Sequence, residues 1–115
     1  MNELEKKIKS IILELASEDY YGSWELWGAV NQDTVSMQPT RDDLKETFLS
    51  LIETLIQTKK LLVVSHKFKG PYNPVEYDRQ RMEYEIDHAG KPDSDTFYWF
   101  WTTDEGKKED IKLRS

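Results

Sequence analysis

The segment from Thr40 to Val64, TRDDLKETFLSLIETLIQTKKLLVV, decides the fold because it joins the clearest helix of the chain to a strand. Thr40 precedes acidic residues that suit the positive end of a helix dipole. Apolar residues then recur on one helix face: Leu44, Phe48, Leu51, Ile52 and Leu55. We predict that this helix runs to about Thr58. The short apolar, β-branched run after Lys59-Lys60 predicts a strand over Leu61–Phe68.

Two more helices are predicted before this segment. The first runs from about Asn2 to Ala16 and has an apolar stripe at helical spacing. The second is short, from Trp24 to about Val30, with Ser23 as its cap. Residues 17–22 are read as a break and a linker, and the polar stretch 31–39 is read as a loop.

The segment that follows the first strand predicts one further helix. Gly70–Pro74 has the composition of a loop, and Pro74 suits the start of a helix. Val75, Met82 and Ile86 then fall at helical spacing, which predicts a helix over Val75–Asp87.

The aromatic run near the C-terminus predicts a second strand over Thr96–Thr102. Side chains alternate along a strand, so Phe97, Trp99 and Trp101 face one way, while Tyr98 and Phe100 face the other. Aromatic residues on both sides indicate a strand that is covered on both faces. After a turn at residues 104–106, the charged tail either adds an edge strand at Ile111 and Leu113 or frays.

These elements predict an α+β fold in a single domain, residues 1–115. A helical N-terminal half with three helices is followed by a small antiparallel sheet and one further helix, in an order like that of a winged helix. The predicted core is Leu4, Ile8, Ile11, Leu15, Trp24, Trp27, Leu44, Phe48, Leu51, Leu55, Leu62, Val64, Phe97, Trp99 and Trp101.

Composition narrows the class of protein. There is no cysteine, which removes disulfides, thiolate metal sites and cysteine nucleophiles. No stretch approaches the roughly 20 apolar residues that span a bilayer. The N-terminus is interrupted by charges and does not resemble a signal peptide. We therefore expect a soluble, cytoplasmic protein.

Charge is the next constraint on function. The chain has 22 acidic and 16 basic residues, a formal net charge of −6. A field of this sign repels nucleic acid and anionic lipid and attracts basic partners, although it also serves simple solubility.

No pattern in the sequence indicates catalysis, a metal or a cofactor. His66 and His88 lack a second histidine at ligand spacing, and the five glycines are isolated. No phosphate-binding loop, dinucleotide fingerprint or nucleophile elbow is present. We expect a binding protein, not an enzyme, without a cofactor or metal ion.

A winged-helix transcriptional regulator is the alternative interpretation. In that case the third helix would enter the DNA groove, where lysine, arginine, asparagine or glutamine side chains read bases. The predicted exposed positions of this helix instead include Asp42, Asp43, Glu46 and Glu53, against Arg41 and Lys45. Because phosphate contacts dominate DNA affinity, these acids oppose DNA binding.

Three features together carry a family resemblance. They are Trp24-Glu25-Leu26-Trp27 after the first helix, the run from Phe48 to Ile56 that continues into Lys59-Lys60-Leu61-Leu62-Val63, and the aromatic strand with Trp99-Phe100 after a polar helix and Pro92. This order resembles small acidic bacterial proteins of unknown function encoded near toxin genes. It is also similar to immunity proteins of contact-dependent growth inhibition systems. The resemblance implies a protein that binds and blocks a cognate toxin domain.

The densest mixture of carboxylates and tyrosines lies between Tyr72 and Asp95. Carboxylates suit a basic partner, and aromatic side chains are frequent anchors of interfaces. The predicted partner-binding residues are Tyr72, Glu76, Tyr77, Asp78, Glu83, Tyr84, Glu85, Asp87, Asp93 and Asp95.

Overall fold

The computed structural model describes residues 1–66, 72–88 and 97–115, apart from the side chain of His66. These residues form five helices, a 3₁₀ turn and four strands. The helices are α1 (Glu3–Glu18), α2 (Ser23–Asp33), α3 (Arg41–Gln57), α4 (Arg79–Asp87) and α5 (Asp104–Arg114), and the 3₁₀ turn is Val35–Met37. The strands are β1 (Tyr21–Gly22), β2 (Leu61–His66), β3 (Tyr72–Pro74) and β4 (Tyr98–Thr102).

The strands form one antiparallel sheet in the order β1-β4-β2-β3. Phe100 of β4 lies opposite Tyr21 on one side and Val63 on the other. Strand β3 and helix α4 are inserted along the chain between the paired strands β2 and β4. The predicted α+β class and winged-helix-like order of elements are confirmed.

The core lies between helices α1–α4 and one face of the sheet. Phe48 of α3 and Phe100 of β4 are its largest fully buried aromatic side chains. The predicted core residues that are buried are Ile8, Ile11, Trp27, Leu44, Phe48, Leu55, Val64 and Phe97. Five others are only partly buried: Leu4, Leu15, Trp24, Leu51 and Leu62.

The face of β4 that packs against the core is the opposite of the predicted one. Tyr98, Phe100 and Thr102 point into the core and are buried, whereas Trp99 and Trp101 lie on the opposite face and stay partly exposed. The Thr102 hydroxyl donates to the carbonyl oxygen of Leu13 at 2.9 Å, which places even this polar residue inside. Trp99 and Trp101 were wrongly assigned to the core because aromatic residues occupy both faces of the strand.

The connection between α1 and α2 is more ordered than the predicted linker. Tyr21 and Gly22 form β1, and Gly22 is also the residue that precedes α2. The Glu25 carboxylate turns back and accepts a hydrogen bond from the Gly22 amide at 3.0 Å, a typical stabilising contact at a helix start. Ser23 is therefore the first residue of the helix and not its cap, and α2 continues to Asp33.

The fourth helix begins later than predicted. Asp78, not Pro74, precedes its first residue, and the Asp78 carboxylate accepts from the Arg81 amide at 3.0 Å. Pro74 belongs to β3, opposite Val64. Strand β3 is at the edge of the sheet, where a residue without an amide proton is tolerated.

The C-terminal tail forms helix α5, so the predicted edge strand or frayed end is wrong. Thr103 caps the helix by accepting from the Gly106 amide at 3.2 Å. Acidic residues lie in its first turn and basic residues in its last, as the helix dipole favours. Only Gly106 and Asp110 are buried in this helix, so its apolar pattern is too weak to be detected from sequence.

An ion-pair network fastens α5 to the rest of the fold. Lys9 of α1 is buried and donates to the Glu109 carboxylate at 2.6 Å, and Lys60 lies 3.4 Å from the same carboxylate. The hydrogen bond from Lys9 is the main reason that the pKa of Glu109 is lowered. Helix α5 thus contributes charge pairing where the other helices contribute apolar packing.

A methyl group at Gly106 is expected to destabilise the fold. A Cβ atom there would lie 2.1 Å from the Lys60 carbonyl oxygen and 2.6 Å from Thr102, so α5 would have to move. We expect Gly106→Ala to lower the free energy of unfolding by about 1–3 kcal/mol in chemical denaturation.

Gly28→Ala is the matched control. Gly28 is also helical, but nothing lies within 4 Å of the position that a methyl group would take there. Alanine is a better helix former by about 0.8–1 kcal/mol, so this variant should be as stable as the parent or more stable. Equal effects of the two substitutions would contradict the close approach of α5 to Lys60.

Candidate functional site

The structure separates the predicted partner-binding residues into different environments. Glu76 and Asp78 are exposed just before α4, and Tyr84 is exposed on α4 and stacks on His88. Tyr72 lies on β3, where its ring stacks on Tyr20. Asp93 and Asp95 are outside the described residues. The predicted residues therefore do not form one continuous set of exposed side chains.

Three of the predicted side chains are occupied by contacts within the chain. The Tyr77 hydroxyl donates to Glu53 at 3.0 Å, and burial together with this carboxylate raises the pKa of Tyr77. The Glu83 carboxylate lies 3.4 Å from Arg79. Asp87 lies 3.1 Å from the Lys45 ammonium group, so its charge is balanced by α3.

Glu85 is fully buried and is removed from the candidate surface. Its Oε1 accepts from the Ser23 hydroxyl at 2.6 Å and from the Tyr98 amide at 2.7 Å, and its Oε2 accepts from Arg81 at 3.0 Å. Burial raises the pKa of this carboxyl, although the hydrogen bonds oppose the shift. Glu85 joins α2, α4 and β4 and has a structural role.

An acidic groove lies between α3 and α4. It is an open groove of about 420 Å³. We define the acidic groove by its lining: Asp42, Asp43, Lys45, Glu46, Leu49 and Glu83. Four carboxylates and one ammonium group thus line one surface, and α3 contributes most of them. Only Glu83 among these acids was in the predicted set.

Arg79 holds the two walls of the groove together. Its guanidinium group contacts Glu46 and lies 2.8 Å from Glu53 on α3, and it also contacts Glu83 on its own helix. One cation therefore serves three carboxylates, so the surface around it stays negative. Since planar guanidinium groups bind carboxylates in fixed directions, this contact also fixes α4 relative to α3.

A second surface lies on the outer face of the sheet, and of its residues only Tyr72 was in the predicted set. We call it the aromatic platform and define it as Tyr20, Trp24, Tyr72, Trp99 and Trp101. The Tyr20 and Tyr72 rings stack with centroids 3.9 Å apart. Trp101 lies 5.1 Å from Tyr20, and Trp99 lies 6.0 Å from Tyr72. The rings form a continuous row across β4 and its neighbours.

Gly22 makes room for one end of this row. A Cβ atom at Gly22 would lie 2.2 Å from the Trp24 ring, so only glycine lets this indole fold back over β1. The Trp24 ring then meets Trp99 edge to face at 5.1 Å. This arrangement is a favourable geometry for aromatic pairs.

Carboxylates and one cation border the aromatic platform. Burial raises the pKa of Tyr72, and the charges of Asp19 and Glu25 raise it further. Both acids are held locally, because Asp19 accepts from the Tyr20 amide at 2.7 Å and Glu25 accepts from the Gly22 amide. The Lys107 ammonium group lies 5.0 Å from the centroid of the Trp101 ring, which is at the end of the row opposite Trp24.

His88 lies at the end of α4, and its Nδ1 is 2.8 Å from the Tyr84 carbonyl oxygen. No group of three or more histidine or acidic side chains among those that the structure describes in residues 1–65, 72–88 and 97–115 is arranged to hold a metal ion. Within the same residues, no helix combines the length and apolar character needed to cross a bilayer.

Comparisons of the chain with protein-family models, curated proteins and solved structures found no match.

Proposed function

We propose that this chain is an immunity protein that binds a cognate bacterial toxin domain and neutralises it by stoichiometric occlusion. The acidic groove between α3 and α4 carries the proposal. Its four carboxylates fit a basic surface on a partner protein, and such occlusion requires no catalytic group in the inhibitor. The resemblance to immunity proteins of contact-dependent growth inhibition systems supports the same function.

A nuclease is one toxin class that suits this surface. Enzymes that act on nucleic acid use positive clefts to attract an anionic substrate. The net charge of −6 would speed the encounter with such a cleft, and the groove carboxylates would occupy the positions of substrate phosphates. The Arg79 contacts support this mode of binding because they order the groove before a partner binds. Less conformational entropy is then lost on association.

A DNA-binding regulator remains the second candidate, because the order of elements is winged-helix-like. The charge of α3 argues against it. Asp42, Asp43 and Glu46 are exposed on the helix that would enter the DNA groove, and they would oppose phosphate contacts.

We expect no binding to duplex DNA tighter than the non-specific range, roughly 10⁻⁴ to 10⁻⁶ M. The measurement is fluorescence anisotropy with a random duplex library at low and physiological salt. A tight, sequence-preferring signal that weakens steeply with salt would favour the regulator over the immunity protein.

Co-expression tests the proposed function in cells. The proposal predicts that a neighbouring gene encodes a large secreted effector, whose C-terminal toxin domain should kill cells when expressed alone. Cells that also express this chain should survive, and the two proteins should co-purify. Continued killing with a well-expressed, folded chain would refute the proposal for that toxin.

The contribution of the groove can be tested with Asp42→Asn/Asp43→Asn. Both side chains are exposed, and neither takes part in the Arg79 contacts. We expect slower association with a basic toxin, since charge complementarity acts mainly on the association rate. Glu14→Gln/Glu18→Gln changes the net charge equally but on α1, and it should slow association less. Equal rates for the two variants would exclude the groove as the contact surface.

A further inference from the structure

A pocket with a mainly apolar lining continues the acidic groove along α3. It has a volume of about 410 Å³ and lies where the C-terminal half of α3 meets β2 and the segment before α4. Three aliphatic side chains and one aromatic ring line it, together with two carboxylates. We call it the apolar pocket and define it by Ile56, Val63, Val75, Tyr77, Glu53 and Glu76. Among the described side chains that line it, none is basic.

The apolar pocket and the acidic groove lie on the same face of α3. Asp42, Glu46 and Leu49 line the groove, whereas Glu53 and Ile56 line the pocket. These residues are four and three positions apart in turn, so they form one row along the helix. The row is about 21 Å long, since an α-helix rises about 1.5 Å per residue. A single segment of a partner protein is long enough to contact both sites.

Arg79 joins the two sites without making the row positive. Its guanidinium group contacts Glu46 of the groove and lies 2.8 Å from Glu53 of the pocket. Glu83 lies 3.4 Å from the same group. Three carboxylates therefore share one positive charge, and Glu76 adds an exposed carboxylate beside the pocket. A segment that follows the row meets negative charge along its whole length.

The walls of the apolar pocket are fixed by contacts within the fold. The Val75 amide donates to the Val63 carbonyl oxygen at 3.2 Å, which extends the pairing of β2 with β3. The Tyr98 hydroxyl donates to the Glu76 carbonyl oxygen at 3.2 Å. The Tyr77 ring stacks on the Tyr98 ring with centroids 5.9 Å apart. The pocket is thus formed before a partner binds, which lowers the entropic cost of filling it.

We propose that the toxin segment bound in the acidic groove continues along α3 and places one large apolar side chain, the size of phenylalanine, in the apolar pocket. This inference rests on the proposed function for the identity of the partner. Carboxylates attract basic residues and speed the encounter, whereas a large apolar side chain in a preformed pocket anchors the complex. The selected segment is therefore basic, with one apolar anchor near its end.

The test uses the full chain and two peptides, acetyl-Arg-Arg-Gly-Gly-Gly-Gly-Phe-Gly-amide and the same peptide with alanine in place of phenylalanine. In an extended peptide, four glycines place the phenylalanine up to about 17 Å from the nearer arginine, which covers the roughly 15 Å from Glu46 to Ile56. The readout is the set of methyl signals in ¹H–¹³C NMR titrations. We expect the phenylalanine peptide to shift the signals of Ile56, Val63 and Val75 and to bind at least about fivefold more tightly than the alanine peptide.

Val35 provides an internal control for non-specific apolar contact. It lies in the 3₁₀ turn and is 69% exposed, whereas Ile56 and Val75 are only partly exposed. Non-specific contact with the peptide would therefore shift the Val35 signals most. Shifts at Val35 as large as those at the pocket, no shifts at the pocket, or equal affinity for the two peptides would overturn the inference.

A third peptide, with citrulline in place of both arginines, tests the link between the pocket and the groove. Citrulline has nearly the shape of arginine but no charge. We expect this peptide to bind at least about threefold more weakly than the arginine peptide at low salt. Asp42→Asn/Asp43→Asn should reduce this difference. Equal binding of the arginine and citrulline peptides to the parent chain would contradict a segment that spans both sites.

Ile56→Ala removes part of the pocket lining, and Leu51→Ala is its matched control. Both residues are partly buried aliphatic side chains of α3 that pack against the core. Leu51 lines a different surface, together with Glu5 of α1. We expect Ile56→Ala to reduce the preference for the phenylalanine peptide at least about twofold, whereas Leu51→Ala should retain it. An unchanged preference in folded Ile56→Ala would contradict the assigned site.

The same pair of variants separates this inference from the proposed function. If the toxin complex forms and Ile56→Ala binds the toxin as tightly as Leu51→Ala does, the apolar pocket is not a contact surface and the immunity proposal stands. If no toxin complex forms but the phenylalanine peptide is preferred, the pocket binds apolar anchors of basic segments and the immunity proposal fails.

Discussion

Replacing Phe48 by alanine is expected to lower the free energy of unfolding by about 3–5 kcal/mol. Phe48 is fully buried on α3, and its ring lies 5.3 Å from that of Trp27 on α2. The substitution removes apolar contacts at the centre of the helical layer and leaves a cavity that the rigid neighbours fill only in part. Urea denaturation of both proteins, followed by far-UV circular dichroism, measures the difference.

Tyr84→Ala is the matched control, since it also truncates an aromatic side chain to alanine on a helix. Tyr84 is 54% exposed and stacks only on His88 among its described ring contacts. Its loss should change stability by roughly 0.5 kcal/mol or less. Similar losses in the two variants would mean that Phe48 is not at the centre of the core.

Replacing Glu85 by alanine is expected to cost about 2–4 kcal/mol, because it leaves the Ser23 hydroxyl and the Tyr98 amide without their buried acceptor. Glu85→Gln keeps an oxygen for both donors and should be the milder change. Glu83→Ala is the control two residues earlier on α4. The Glu83 side chain is 42% exposed, so this change should have a small effect. Equal losses at positions 83 and 85 in chemical denaturation would contradict the buried network.

The pH dependence of Glu85 has a definite sign. Burial raises the pKa of the folded carboxyl above its ordinary value of 4.5, so the folded state favours the protonated form. Its contribution to stability is fully present below pH 4.5 and is lost as pH rises through the raised pKa. The parent should therefore lose stability relative to Glu85→Gln over that range. A relative stability that is constant, or that rises with pH, would refute the direction of this shift.

The sequence predicted the elements with strong periodicity and missed those held by specific contacts. The predicted helix α3 is confirmed. Its apolar stripe and its Thr40 cap are both local sequence signals, and they indicate the same helix. Helix α5 was missed because a threonine cap, a closely packed glycine and ion pairs stabilise it without an apolar stripe. Such contacts join residues that are far apart in the chain, so local patterns do not reveal them.

The candidate surfaces also depend on contacts between residues that are far apart in the chain. Glu85 was predicted to be a partner-binding residue, although it lies three residues after the buried Met82 and one before the buried Ile86. That spacing puts Glu85 on the apolar face of the helix and could have identified it as a buried residue. The acidic groove could not be found in this way, because it requires α4 to pack beside α3. The aromatic platform was missed because Trp99 and Trp101 were predicted to lie in the core, whereas Tyr98 and Phe100 on the other face of β4 turn inward.

The most direct test of the immunity function is a calorimetric titration of the purified toxin domain with this chain, with toxin activity measured at each step. We predict saturable one-to-one binding, with activity falling to background at equimolar protein. The absence of binding, or full toxin activity in the presence of excess folded chain, would contradict the proposed function.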